Sequence, residues 1–111
     1  MSLDNDRKDI AYLLGRLFAV LEKAQQDSAG TKLNATIKDR YFDSASTTPR
    51  SVFPLLLKLA QHHIAKAEYG YVNDQKIQEI MQDVESFPAF LNLENQGLFT
   101  IGYYHQRNAL Y

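Results

Sequence analysis

Apolar residues in this chain recur every three or four positions through each long segment and nowhere alternate with polar ones over the length of a strand. That pattern restricts the fold to packed helices, because a 3.6-residue period lines up one face of a helix whereas a half-buried strand needs a period of 2. The first segment, from about Arg7 to Gln26, sets Ile10, Leu13, Leu14, Leu17, Phe18, Val20, Leu21 and Ala24 on one side. Asp6 is its expected N-cap and Gly30 its stop signal. On the opposite side fall Tyr12, Arg16, Ala19 and Lys23, an expected exposed strip of basic and aromatic character.

A second helix is predicted over about Thr36 to Ala45, with Ile37, Tyr41 and Phe42 for the core and "SASTTP" as its break. The third opens at Thr48–Pro49 or at Ser51, since a hydroxyl can cap orphan N–H groups and proline fits a first turn; Pro54 favours the later start. Its apolar arc runs through Val52, Phe53, Leu56, Leu57, Leu59, Ala60, His63, Ile64 and Ala67, while Lys58, His62 and Lys66 form a basic row at i, i+4 spacing on the other side. After "EYGYVNDQ", read as a loop, a fourth helix over about Asp74 to Glu85 buries Ile77, Ile80, Met81 and Val84 and exposes Glu79, Gln82, Asp83 and Glu85. Asn92 caps a fifth, running to about Gln106, whose apolar residues point around most of its circumference; such a helix is either central or docked on a partner. The expectation is one all-α domain over residues 1–111, a compact irregular bundle of about five helices, with enough apolar content (45%) for a single core.

Charge is distributed unevenly. The net charge is -1, yet between residues 31 and 66 Lys32, Lys38, Arg40, Arg50, Lys58 and Lys66 face only Asp39 and Asp43, whereas residues 67–111 are acidic. A segregated basic block points to an anionic partner for one face. Two surfaces suit a phosphate backbone: the row Lys58, His62, Lys66 with Lys38, Arg40 and Arg50, and the strip Tyr12, Arg16, Lys23. Contacts of that kind position a nucleic acid without reading its sequence.

Other chemistries find little footing. With no cysteine there is no disulfide, thiolate metal site or Cys nucleophile, which fits a reducing, cytoplasmic setting. His62 and His63 are neighbours on a helix, diverging by about 100°, and His105 is distant in sequence, so no metal-ligand spacing arises. His63 reads as a hydrogen-bonded core histidine and His62 as part of the basic row. The glycines are too scattered for a phosphate-cradling loop, the Ser and Thr residues sit in caps and loops, and Asp39 with Asp43 reads as ordinary surface patterning. Tyr103, Tyr104 and Arg107 could stack on a base, but aromatics at this spacing are more often core. No cofactor and no catalytic activity are expected, and no apolar run approaches the roughly 18 residues of a membrane span.

Three stretches carry more than a pattern: "YLLGRLFAVLEKAQQ" (12–26), "TIKDRYFDSASTTPRSVFPLLLKLAQHHIAK" (36–66) and "FPAFLNLENQGLFTIGYYHQR" (87–107). They resemble the C-terminal region of the large subunit of the type I-C (Csd-type) CRISPR Cascade complex. In that family the same region is also made separately, from an internal start, as the small subunit. The resemblance implies a non-catalytic helical bundle, present in more than one copy, that lies along an RNA-guided complex and helps hold the guide–target heteroduplex and the displaced DNA strand. Its implied partners are the large subunit, the backbone subunits, copies of itself, guide RNA and target DNA. Base pairing reads sequence in such complexes, leaving protein to recognise backbone and shape. The candidate contacts remain those read from charge: Arg16, Lys23, Lys38, Arg40, Arg50, Lys58, His62 and Lys66. The competing expectation is a bridging domain that touches no nucleic acid and docks through the fifth helix, marked by exposure of Phe99 or Tyr103.

Overall fold

The computed structural model describes residues 2–29 and 36–111. Five α-helices make up the described fold: α1 (Ile10–Ala29), α2 (Ile37–Thr47), α3 (Pro49–Lys66), α4 (Gly70–Met81) and α5 (Leu93–Leu110). The all-α class follows as the apolar spacing requires, with no strand among the described residues. Gly30 and Lys32 lie outside those residues.

The centre of the bundle is α1, not α5. Every residue from Ala11 to Glu22 is buried, including Tyr12, Arg16 and Ala19 of the strip that amphipathic spacing places on the outside, while Lys23 stays partly exposed; α1 packs against all four other helices, most extensively α5. Two glycines allow this contact. A Cβ on Gly15 would overlap the Phe99 carbonyl and lie 2.8 Å from the Tyr103 nitrogen; one on Gly102 would overlap the Tyr12 carbonyl. Without side chains at these points the two backbones meet directly, and α5 seals the polar side of α1.

Aromatic rings fill the layer around this contact. Phe18 meets Phe42, Phe99 and Tyr103 edge-on at centroid distances of 5.5, 6.0 and 5.8 Å, and Phe53 stacks on Phe87 at 5.3 Å. Edge-to-face pairs satisfy the ring quadrupoles, and burying each such side chain contributes about 1.5–3 kcal/mol.

Helix ends depart from expectation where hydroxyls and backbone contacts find better use. α1 begins at Ile10, with the Asp9 carbonyl accepting from the Leu13 N–H, so Asp6 is not its cap. Thr36 and Asp39 close a reciprocal capping box on α2, giving Asp39 a structural task. That helix runs on to Thr47, because the hydroxyls of Ser46, Thr47 and Thr48 donate to the carbonyls of Asp43 and Ser44. Thr48 is thereby occupied, and α3 starts at Pro49 without a side-chain cap. The Arg50 N–H meets the Pro88 carbonyl at 3.0 Å, Val52 and Phe53 enter the core, and Pro54 sits inside the helix on its exposed side. Gly70 opens α4 rather than lying in a loop, pressed against the Ile64 backbone, and α4 ends at Met81. The Asn92 side chain caps α5 by accepting from the Asn95 N–H.

Candidate nucleic-acid interface

The row Lys58, His62, Lys66 stands on the outer face of α3, and all three side chains are exposed. Val52, Phe53, Leu56 and Ala60 turn into the core and fix the rotation of the helix, which leaves the row facing solvent. A rise of 1.5 Å per residue spaces its members about 6 Å apart along the axis, about 12 Å end to end. Arg40 is exposed on α2, which packs on α3.

The remaining candidates are placed otherwise. Arg16 is only 9% exposed; its Nε donates to Gln106 Oε1 at 2.9 Å and its Nη2 to Asn5 Oδ1 at 3.2 Å. Burial pulls the guanidinium below its ordinary pKa, opposed by Tyr12, Asp83, Glu79 and Asp4. Tyr12 is fully buried, its hydroxyl shared with His105 Nδ1 (2.8 Å) and the Asp4 N–H (3.1 Å). Lys23 is paired with Asp27 and lies 5.2 Å from the Tyr111 ring centroid. The predicted strip on α1 is therefore not a surface: α5 and the segment before α1 cover it.

Lys38 donates to the Tyr104 hydroxyl at 3.1 Å and lies 5.4 Å from the Tyr103 centroid and 5.2 Å from that of Tyr104, held over aromatic faces. Arg50 is exposed but donates to the Phe87 carbonyl (3.3 Å) and lines a recess with Asp83 and Glu85. That acidic neighbourhood sets it apart from the row on α3.

Ion pairing separates the basic residues further. Among the described residues Arg7, Lys8, Lys23 and Arg107 each face a carboxylate, and no basic side chain between 36 and 66 does. Among the described residues Lys58, Lys66 and Arg40 thus make no ion pair, as is also true of Arg16 and Lys76 outside that stretch. His63 is half-buried, with its Nδ1 and the Ser28 hydroxyl 3.2 Å apart; desolvation, then Lys66 and His62, lower its pKa.

The aromatic candidates on α5 divide. Tyr103 is fully buried and its hydroxyl donates to the buried Glu22 at 2.5 Å; burial first, then that carboxylate, push its pKa far up. Tyr104 is partly exposed against Lys38, and Arg107 lies over the Tyr111 ring. The most exposed tyrosines are instead Tyr69 and Tyr71, at the junction of α3 and α4, which helical periodicity had consigned to a loop. Their signal in the sequence is the string "KAEYGY" directly after the basic row.

No group of three or more His, Cys, Asp or Glu among the described residues is placed to hold a metal ion, and no described helix is long and apolar enough to cross a membrane. The family model described as CRISPR-associated protein (Cas_Csd1) matches residues 1–111. The chain belongs to the Cas_Csd1 family. A search of curated proteins gave no match. The open α3 row is thus a charged surface on a CRISPR-associated protein.

Proposed function

We propose that this Cas_Csd1 chain is a non-catalytic helical subunit of a type I-C surveillance complex. It contacts nucleic-acid backbone through Lys58, His62 and Lys66, with Arg40 exposed on the neighbouring α2 as a further cation, and so stabilises the guide–target heteroduplex and the displaced strand. The observation that carries this reading is the exposure of Lys58, His62 and Lys66 together on one face of α3, where no ion pair among the described residues engages them. A free-standing nucleic-acid-binding protein is usually strongly basic, because phosphate contacts dominate its affinity. One held among other subunits works with a few cations on one face, since its neighbours raise its effective concentration. Arg16 is buried and Lys23 is paired with Asp27, so neither belongs to this surface, and Lys38 and Arg50 are engaged elsewhere, by Tyr104 and by the Phe87 carbonyl.

The test is binding of the purified chain to single-stranded and duplex DNA at about 50 and 200 mM salt, with Lys58→Glu/Lys66→Glu alongside. The double variant should keep its circular dichroism, lose about tenfold or more in affinity at the lower salt, and bind with a log–log salt slope shallower by about 1–2. Unchanged affinity and slope would remove the row from the interface.

A second reading is favoured by one observation. Phe90 and Leu93 are 73% and 84% exposed at the start of α5, and Ile101 is exposed further along, whereas Phe99 and Tyr103 are buried. If the domain only bridges subunits, Phe90→Ser/Leu93→Ser should abolish incorporation into the complex while the Lys58→Glu/Lys66→Glu variant assembles and supports target binding normally.

A further inference from the structure

Tyr69 and Tyr71 are 64% and 66% exposed, and their rings meet at a centroid distance of 6.4 Å with planes inclined by 67°. Single exposed apolar residues are common and need no explanation. A pair of tyrosines in mutual contact is different, because both remain more than half exposed while they touch. The fold fixes this arrangement: the Ala67 N–H bonds the His63 carbonyl to end α3, and the Gly70 N–H bonds the Ala67 carbonyl in the turn. Gly70 is then pressed onto the Ile64 backbone, so one tyrosine stands on either side of a fixed point.

The chain passes from Lys66, the last member of the basic row, to Tyr69 through Ala67 and Glu68 alone. Along the chain a row of cations about 12 Å long is thus followed directly by two exposed aromatic rings. In a duplex the bases are stacked on one another and their faces are closed to protein. In a single strand the bases are open, and an aromatic platform beside a cationic track is a sequence-tolerant way of holding them. We propose that Tyr69 and Tyr71 form a stacking platform for the bases of a single-stranded nucleic acid whose phosphates follow Lys58, His62 and Lys66. This rests on the reading of the α3 row as a backbone contact and adds a preference for unpaired nucleotides. Glu68, exposed between Lys66 and Tyr69 in the chain, is an opposing charge that limits the affinity.

Labelled oligo-dT, oligo-rU and a DNA duplex, titrated with the full chain at several salt concentrations, separate the two contributions. Salt slope reports the row; the ratio of single-strand to duplex affinity reports the platform. Tyr69→Ala/Tyr71→Ala should weaken single-strand binding about 5- to 150-fold per base stacked while leaving duplex affinity and both salt slopes in place. Tyr69→Phe/Tyr71→Phe should bind as the unaltered chain does, since the ring and not the hydroxyl carries the contact. Glu68→Gln should tighten binding at low salt. Whichever of oligo-dT and oligo-rU responds to the alanine change identifies the strand taken. Single-strand affinity unaltered by the alanine pair overturns the platform even if Lys58→Glu/Lys66→Glu still weakens binding. Equal loss on single strand and duplex, with a flattened slope, overturns it as well, because the tyrosines would then only be supporting the row. If instead the lysine variant binds normally while the alanine pair loses single-strand affinity, the platform stands and the backbone reading of the row fails.

Discussion

Two strips of this protein are nearly interchangeable on paper. Tyr12, Arg16 and Lys23 on α1 and Lys58, His62 and Lys66 on α3 both run opposite an apolar arc, and both mix cations with polar ring-bearing side chains. In the fold they have opposite fates. Tyr12 and Arg16 of the first are sealed beneath α5, the guanidinium bonded to Gln106 and Asn5, and Lys23 is held by Asp27; the second is open and makes no ion pair among the described residues. The difference originates outside the strips themselves. Gly15 and Gly102 remove the side chains that would hold α5 away from α1, whereas the outer face of α3 has no helix packed over it. Position on a helical wheel says which side of a helix is polar, but not whether that side meets water.

The most severe way to break the comparison is to force the sealed strip open. Gly15→Ala or Gly102→Ala places a Cβ inside a backbone carbonyl, and should cost about 3 kcal/mol in urea unfolding, with Tyr12 and Arg16 becoming accessible. No loss of stability would mean that the α1–α5 contact is looser than described. Next in size is Arg16→Ala, which strands the buried Gln106 carbonyl oxygen and should cost about 1–3 kcal/mol in the same assay. Lys58→Ala/Lys66→Ala should stay within about 0.5 kcal/mol of the unaltered chain, as exposed positions without partners do. Equal effects from the two strips would erase the distinction between them.

The smallest expected effect concerns pH at the edge of the open strip. His63 has a folded pKa below its unfolded value of 6.5, because desolvation and the neighbouring Lys66 and His62 disfavour its charged form. The unfolded chain therefore binds the proton more readily. Its contribution is intact above pH 6.5 and is lost as pH falls from there through the lower folded pKa. His63→Gln should flatten the fall in thermal midpoint between pH 7 and 5 relative to the unaltered chain; an identical fall would assign the pH dependence to other groups.

Much of this organisation is legible in the residues. The apolar spacing of Leu13, Leu14, Leu17, Phe18 and Leu21, or of Val52, Phe53, Leu56 and Ala60, dictates helices and names most of the core, because burial follows periodicity once a helix has a neighbour. Asn92 can be read as a cap for the same local reason, since its side chain needs only the N–H three residues on. The Lys58–His62–Lys66 row is legible as a polar face, and the chain's membership of the Cas_Csd1 family agrees with strings visible in its sequence.

What the sequence determined by itself was local: helices, the Asn92 cap, the segregation of basic from acidic residues, and which side chains prefer an apolar neighbour. Tertiary structure alone decided which helix is central, whether Arg16 is a surface cation or a buried one, and that Tyr69 and Tyr71 stand open beside Lys66. The physical reason is that exposure belongs to the space around a residue. Backbone approach at Gly15 and Gly102 and the turn at Gly70 set that space through contacts between segments far apart in the chain or across a turn, and no periodicity within one segment encodes it.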